Sequence, residues 1–167
     1  FRGGNSYRHN NVNAKKIISF GTPAIAPLIK NLMKRGRKTI SESLLLRECL
    51  AQLLKREDKG LILKAFRERG QLEWAIKKYL YPEVKNLVLQ RLITKRANQS
   101  LSEDLIDTAF LYDKDQAANN LKLYVGNGRE PSYAIKKIFR ETEVDLSEEL
   151  KQLLQRKNNV YAKKALF

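Results

Sequence analysis

Gly21-Thr22-Pro23-Ala24-Ile25-Ala26-Pro27-Leu28-Ile29-Lys30-Asn31-Leu32 is the stretch on which the fold turns. A glycine after an apolar-periodic run closes a helix, because it takes a left-handed backbone at little steric cost. Thr22-Pro23 then supplies an N-cap and a first-turn proline for the next helix. Pro27, close behind, lacks a hydrogen bond that the helix start would leave unmade anyway. One helix ends and another begins within a few residues, which predicts a tight helix pair.

The same signals recur outward from there. Gly36 reads as the end of the second helix. Thr39-Ile40-Ser41-Glu42 and Ser100-Leu101-Ser102-Glu103 have the spacing of a capping box, and Asp145-Leu146-Ser147-Glu148 is its aspartate form. Between these signals the apolar residues keep helical spacing. Leu46, Cys49, Leu50, Leu53 and Leu54 make one stripe, Val84, Leu87, Val88 and Leu92 a second, and Leu146, Leu150, Leu153 and Leu154 a third. No stretch alternates as a strand would. The expected helices lie near 12–20, 23–35, 40–56, 58–69, 71–80, 82–97, 102–113, 115–125, 131–141 and 146–157, with a further segment at 159–166. The expected core includes Leu28, Ile29, Leu32, Leu46, Leu50, Leu53, Leu87, Val88 and Leu92. Several helices are short for isolated stability and need their neighbours.

A repeat underlies the pattern. Lys-Lys occurs at Lys15-Lys16, Lys77-Lys78, Lys136-Lys137 and Lys163-Lys164, and Trp74-Ala75-Ile76-Lys77-Lys78 echoes Tyr133-Ala134-Ile135-Lys136-Lys137. The intervals lie close to multiples of about 30 residues, the range of helix-pair solenoids. Residues 21–32 resemble the HEAT-like repeat family, particularly the short repeats first described in phycobilisome lyases. Gly21, Ala24, Ile25, Pro27, Leu28, Ile29 and Leu32 fall on that consensus, while later segments depart from it. The resemblance implies an all-α fold, an α-solenoid of stacked antiparallel helix pairs, about five of them. Members of the family include adaptors, scaffolds, bilin lyases and nucleic-acid binders, so the resemblance speaks for architecture more than activity.

Charge is the strongest functional signal. The chain of 167 residues has a formal net charge of +15. Residues 1–100 hold 22 Lys and Arg against 7 Asp and Glu, whereas residues 101–167 hold 11 of each. The first carboxylate of any kind is Glu42. Residues 1–11 read as a flexible basic arm, and 12–167 as a single helical-repeat domain, basic over 12–100 and neutral over 101–167. Two blocks concentrate the charge: Lys30, Lys34, Arg35, Arg37 and Lys38, then Lys77, Lys78, Lys85, Arg91, Lys95 and Arg96. Such blocks suit phosphate contacts without base specificity. Tyr79 and Tyr81, beside Lys77-Lys78, are candidates to stack on bases, against the plainer role of core or rim aromatics.

Other chemistry finds little support. One His (His9) and one Cys (Cys49) make no zinc ligand set, the acids lack an EF-hand spacing, and no cofactor is expected. A His-based triad would depend on His9, in the arm. Gly126-Asn127-Gly128 lacks the Lys-Ser/Thr of a phosphate loop and reads as a turn. The acid clusters Glu103-Asp104…Asp107 and Glu141…Glu143…Asp145 read as helix-start residues favoured by the dipole. HEAT-like alkylpurine DNA glycosylases use an aspartate with flanking tryptophans; here Trp74 is the sole tryptophan and no aspartate lies near it in sequence. Cys49 reads as a small buried hydrophobe. No apolar run is long enough for a membrane span and no signal-peptide pattern opens the chain; a single cysteine excludes an internal disulfide, so a cytoplasmic or other intracellular setting is expected. A start at Phe1 fits a processed chain or part of a larger one. The expectation is a non-enzymatic binding module for a polyanion, most simply DNA or RNA. The alternative is a scaffold that docks an acidic protein.

Overall fold

The computed structural model describes residues 12–34, 39–94, 100–127 and 131–155. The expected arm at 1–11, the Gly36 turn and the segment at 159–166 lie outside them. Among the described residues the chain is all-helical, without a strand. Helix α1 covers 12–18, and α2 Ile25–Met33, α3 Ile40–Leu53, α4 Lys59–Arg69 and α5 Glu73–Tyr79 come after it. The rest are α6 Lys85–Thr94, α7 Glu103–Tyr112, α8 Lys114–Asn127, α9 Ser132–Glu141 and α10 Ser147–Gln155.

Local chemistry sets the ends of these helices. Gly21 has φ +66° and its N–H reaches the Ile18 carbonyl at 2.9 Å, closing α1 as expected. The entry to α2 differs from the expectation. Thr22–Ala24 form a single 3-10 turn and Thr22 makes no side-chain cap, so Pro23 sits in that turn and Pro27 in the first turn of α2. Helices α4 and α6 are entered in the same manner, through 3-10 turns at Arg56–Asp58 and Pro82–Val84. The capping box of α3 is present, with Glu42 N–H donating to Thr39 Oγ1 at 3.1 Å and Thr39 N–H donating to the Glu42 carboxylate at 2.7 Å. At α7 the cap is Ser102, which accepts from Leu105 N–H, rather than Ser100. Asp145 accepts from both Ser147 N–H and its hydroxyl, a tighter turn than a capping box. Gly70 ends α4 in the left-handed region, with its N–H and that of Gln71 returned to the Phe66 and Ala65 carbonyls.

The chain divides into two compact units, a first up to Ala75 and a second from Ile76, so the boundary falls inside α5. The sequence reads 12–167 as one helical-repeat domain; within each unit the packing runs largely between helices close in the chain. In the first unit α2 lies against α3 and α4. Ile25, Ile29, Leu46, Leu50, Ile62 and Phe66 are buried there, and the Cys49 thiol lies 4.0 Å from the Ala14 carbonyl. Burial pushes that thiol's pKa up. In the second unit α8 packs against α6, α7, α9 and α10. It can serve four neighbours because small residues, Ala117 and Ala118, sit beside Leu121 and Val125 on its buried face.

The α3 stripe is buried in full. Leu28, Leu32 and Leu87 are only half-buried, contrary to expectation. On α2 the buried line is Ile25 and Ile29, which leaves both leucines on its flank. On α6 it is Val88, Leu89 and Leu92, because α7 and α8 both pack on this helix and shift its buried face by one position.

Candidate nucleic-acid interface

The cations singled out in the sequence have different fates in the two units. In the first unit, Lys30 and Lys34 are exposed at the C-terminal end of α2, one helical turn apart. Every described Lys and Arg of this unit except Lys59 is exposed. Lys30 and Lys34 border a groove of about 480 Å³ between α2 and α4. Ala26, Ile29, Met33 and Leu61 give it apolar walls, and Lys64, Glu68 and Arg69 complete its rim. Lys64 and Arg69 were not among the expected residues. Their signal was the polar face of α4, where Lys64 and Glu68 are spaced four apart.

Among the described expected cations of the second unit only Lys78 is exposed; its ammonium lies 5.1 Å from the centre of the Tyr79 ring. Lys77 donates to Asp107, with Asp104 at 3.6 Å. Lys85 pairs with Asp113 at 3.1 Å, and Arg91 is half-buried. Lys77 and Lys85 thus already face carboxylates from α7 and its C-terminal end. Tyr81 is 3% exposed and cannot offer a ring face to a base. It belongs to the core, its carbonyl accepting from Tyr112 Oη at 2.6 Å and its ring 5.8 Å from that of half-buried Tyr79. Arg35, Arg37, Lys38, Lys95 and Arg96 lie outside the described residues.

Asp107 is the residue that sequence reasoning misread. Its spacing makes it one member of a helix-start acid cluster. Instead its carboxylate accepts from Lys77, from Lys137 at 2.9 Å and from Tyr133 Oη at 2.8 Å, joining α5, α7 and α9. Lys137 also pairs with Glu141 at 2.7 Å and lies 5.5 Å from the Phe110 ring centre. Burial would raise the Asp107 pKa, but the hydrogen bonds from Lys77, Lys137 and Tyr133 outweigh it and hold the carboxyl at about 2. The bond to Asp107 holds Lys77 above the usual lysine value; Lys137 is also raised, its bonds to Glu141 and Asp107 prevailing over burial. Both lysines therefore stay cationic and the aspartate ionised at neutral pH. The cluster ties α5, α7 and α9 together as a clamp. Burial pushes the Tyr112 phenol up to about 12, with Glu83 adding to the effect.

Four partner pairs in this unit are separated by about 30 residues, while others, such as Leu101 with Tyr124 and Tyr133 with Asp107, are 23 and 26 apart. Lys77 and Asp107 are 30 residues apart, Lys85 and Asp113 28, Tyr81 and Tyr112 31, and Leu89 and Asn120 31. The lysine pairs of the sequence start 62, 59 and 27 residues apart, close to multiples of that interval. The interval was the available signal for Asp107, which lies midway between the Lys77 and Lys137 of the two echoing segments.

Among the described residues no group of His, Cys, Asp and Glu side chains could hold a metal ion, and no helix is long and apolar enough to cross a membrane. Comparison with protein-family models, with curated proteins and with solved structures finds no match.

Proposed function

We propose that this chain is a non-enzymatic HEAT-like binding module whose exposed cations, chiefly those of the first unit, bind a polyanion, most simply a nucleic acid. The observation that carries the reading is the contrast in exposure. Every described Lys and Arg of the first unit except Lys59 is exposed, where phosphates can reach it, while in the second unit Lys78, Lys114, Lys136, Arg140 and Lys151 are exposed and Lys77, Lys85, Lys122 and Lys137 are half-buried against carboxylates. Contacts of this kind release condensed counterions and fix no base identity.

Two features support the repeat architecture. Partner intervals of about 30 residues recur through the second unit. Packing also runs between next-but-one helices, α2 with α4, α6 with α8 and α8 with α10, as stacked pairs require.

The test is fluorescence anisotropy with single- and double-stranded DNA and RNA at two salt concentrations. Affinity is expected to fall steeply with salt. Lys30→Glu, Lys34→Glu and Lys64→Glu together should weaken binding alike for every sequence, and reversing Lys122 and Lys151 should do much less. Absence of binding at low salt, or equal losses from both sets, would overturn the reading. A scaffold for an acidic protein is the second reading. One observation favours it, the apolar walls between α2 and α4, for which phosphates have no use.

A further inference from the structure

The α2–α4 groove combines two chemistries that a nucleic-acid surface does not need together. Its floor is aliphatic and its rim is cationic: Lys30, Lys34, Lys64 and Arg69 stand around it with Glu68 as the one carboxylate. We infer that this groove docks a short acidic amphipathic helix from a partner protein, its apolar anchors on Ile29, Met33 and Leu61 and its carboxylates toward Lys30, Lys64 and Arg69. This deepens the scaffold reading and does not depend on nucleic-acid binding.

Four observations select that occupant. The lining residues on α2 run from Ala26 to Lys34, about 12 Å at 1.5 Å per residue, the length of roughly two turns of an incoming helix. A volume of about 480 Å³ takes a few apolar side chains and not a folded domain. Among the described residues no aromatic ring lines the groove, so they offer an unstacked base no platform there. Charge complementarity then selects an acidic segment and rules against the chain's own ends. Residues 1–11 carry Arg2 and Arg8 and no acid, and residues 156–167 carry Arg156, Lys157, Lys163 and Lys164 and no acid. Helix-in-groove recognition with anchors spaced three and four apart is the matching mode.

Met33 gives a direct reporter, because it is the one methionine of the chain. Its ¹³C-labelled methyl group yields a single signal from the groove. The probe is a fluorescein-labelled 14-residue helical peptide with Leu at positions 4, 7 and 11 and otherwise mostly Glu. A scrambled peptide of the same composition and poly-glutamate are the controls. The patterned peptide is expected to bind the full chain at least about tenfold more tightly than either control, a difference of about 1.4 kcal/mol, and to shift the Met33 methyl signal. Ala26→Trp, which fills the groove from an exposed position, and Leu61→Ser, at its lip, should each remove most of that preference. Both variants should keep the wild-type circular dichroism and melting temperature, and the wild-type affinity for DNA or RNA.

Equal binding of the patterned and scrambled peptides would overturn the inference, since charge alone would then explain it. So would an unshifted Met33 signal, or full binding by both variants. Concentration-dependent self-association abolished by Leu61→Ser would make a second copy of the chain the occupant instead. Loss of DNA and RNA binding with peptide binding intact would sink the nucleic-acid reading and leave this one standing.

Discussion

The two units place lysine differently: every described lysine of the first except Lys59 is exposed, whereas four of the second, Lys77, Lys85, Lys122 and Lys137, are half-buried against carboxylates. Around the α2–α4 groove of the first unit, Lys30, Lys34 and Lys64 are exposed and share the rim with a lone carboxylate, Glu68. In the second unit Lys77 and Lys137 converge on Asp107, Lys85 meets Asp113, and Lys122 lies 3.7 Å from Glu149. A lysine whose ammonium already faces a half-buried carboxylate contributes to holding helices together and little to binding an anion. A sequence-level charge count weighs both kinds equally.

The largest expected effects should be common to both units, because both depend on packed leucines. Leu50→Ala in the first and Leu121→Ala in the second each empty a position with no solvent exposure, at a cost of about 2–5 kcal/mol. Urea unfolding followed by circular dichroism measures both. A loss below about 1 kcal/mol at one of them would show that its unit has no close-packed core there.

Asp107 separates the units next. Asp107→Asn leaves Lys77 and Lys137 facing each other without their shared carboxylate and is expected to cost about 1–2 kcal/mol, trimmed by the water that still reaches the group. The folded carboxyl titrates at about 2 against an ordinary 3.8, so its contribution is complete above the ordinary value and disappears as pH falls through about 2. The stability gap between wild type and variant should therefore be constant near neutrality and close in acid. A gap that persists below pH 2 would mean that something other than ionisation holds the cluster.

Helix caps should erase the difference between the units. Thr39→Ala and Ser102→Ala each remove a side-chain acceptor from a helix start, and each is expected to cost about 1 kcal/mol. Thermal melts of the two variants should shift in the same direction by similar amounts.

The smallest stability effects carry the sharpest functional contrast. Lys64→Gln, in exposed solvent, should change stability by less than about 0.5 kcal/mol yet lower the salt slope for single-stranded nucleic acid by about 0.7. Lys85→Gln should do the reverse, losing up to about 1 kcal/mol of a partly exposed ion pair and leaving the slope unchanged. If both variants lower the slope equally, the division between binding and structural lysines fails.

Sequence by itself determined the helical class, the end of α1 at Gly21, the capping box at Thr39 and Glu42 and the buried α3 stripe. These act within a few helical turns, so they are written in neighbouring residues. Tertiary structure alone decided the rest. It chose Leu89 over Leu87 for the buried face of α6, buried Tyr81, assigned Lys77 and Lys85 to carboxylates, and opened the groove between α2 and α4. Each of those outcomes depends on which helix faces which across tens of residues. A carboxylate such as Asp107 has the same local signature whether it faces solvent at a helix start or sits between two lysines from other helices.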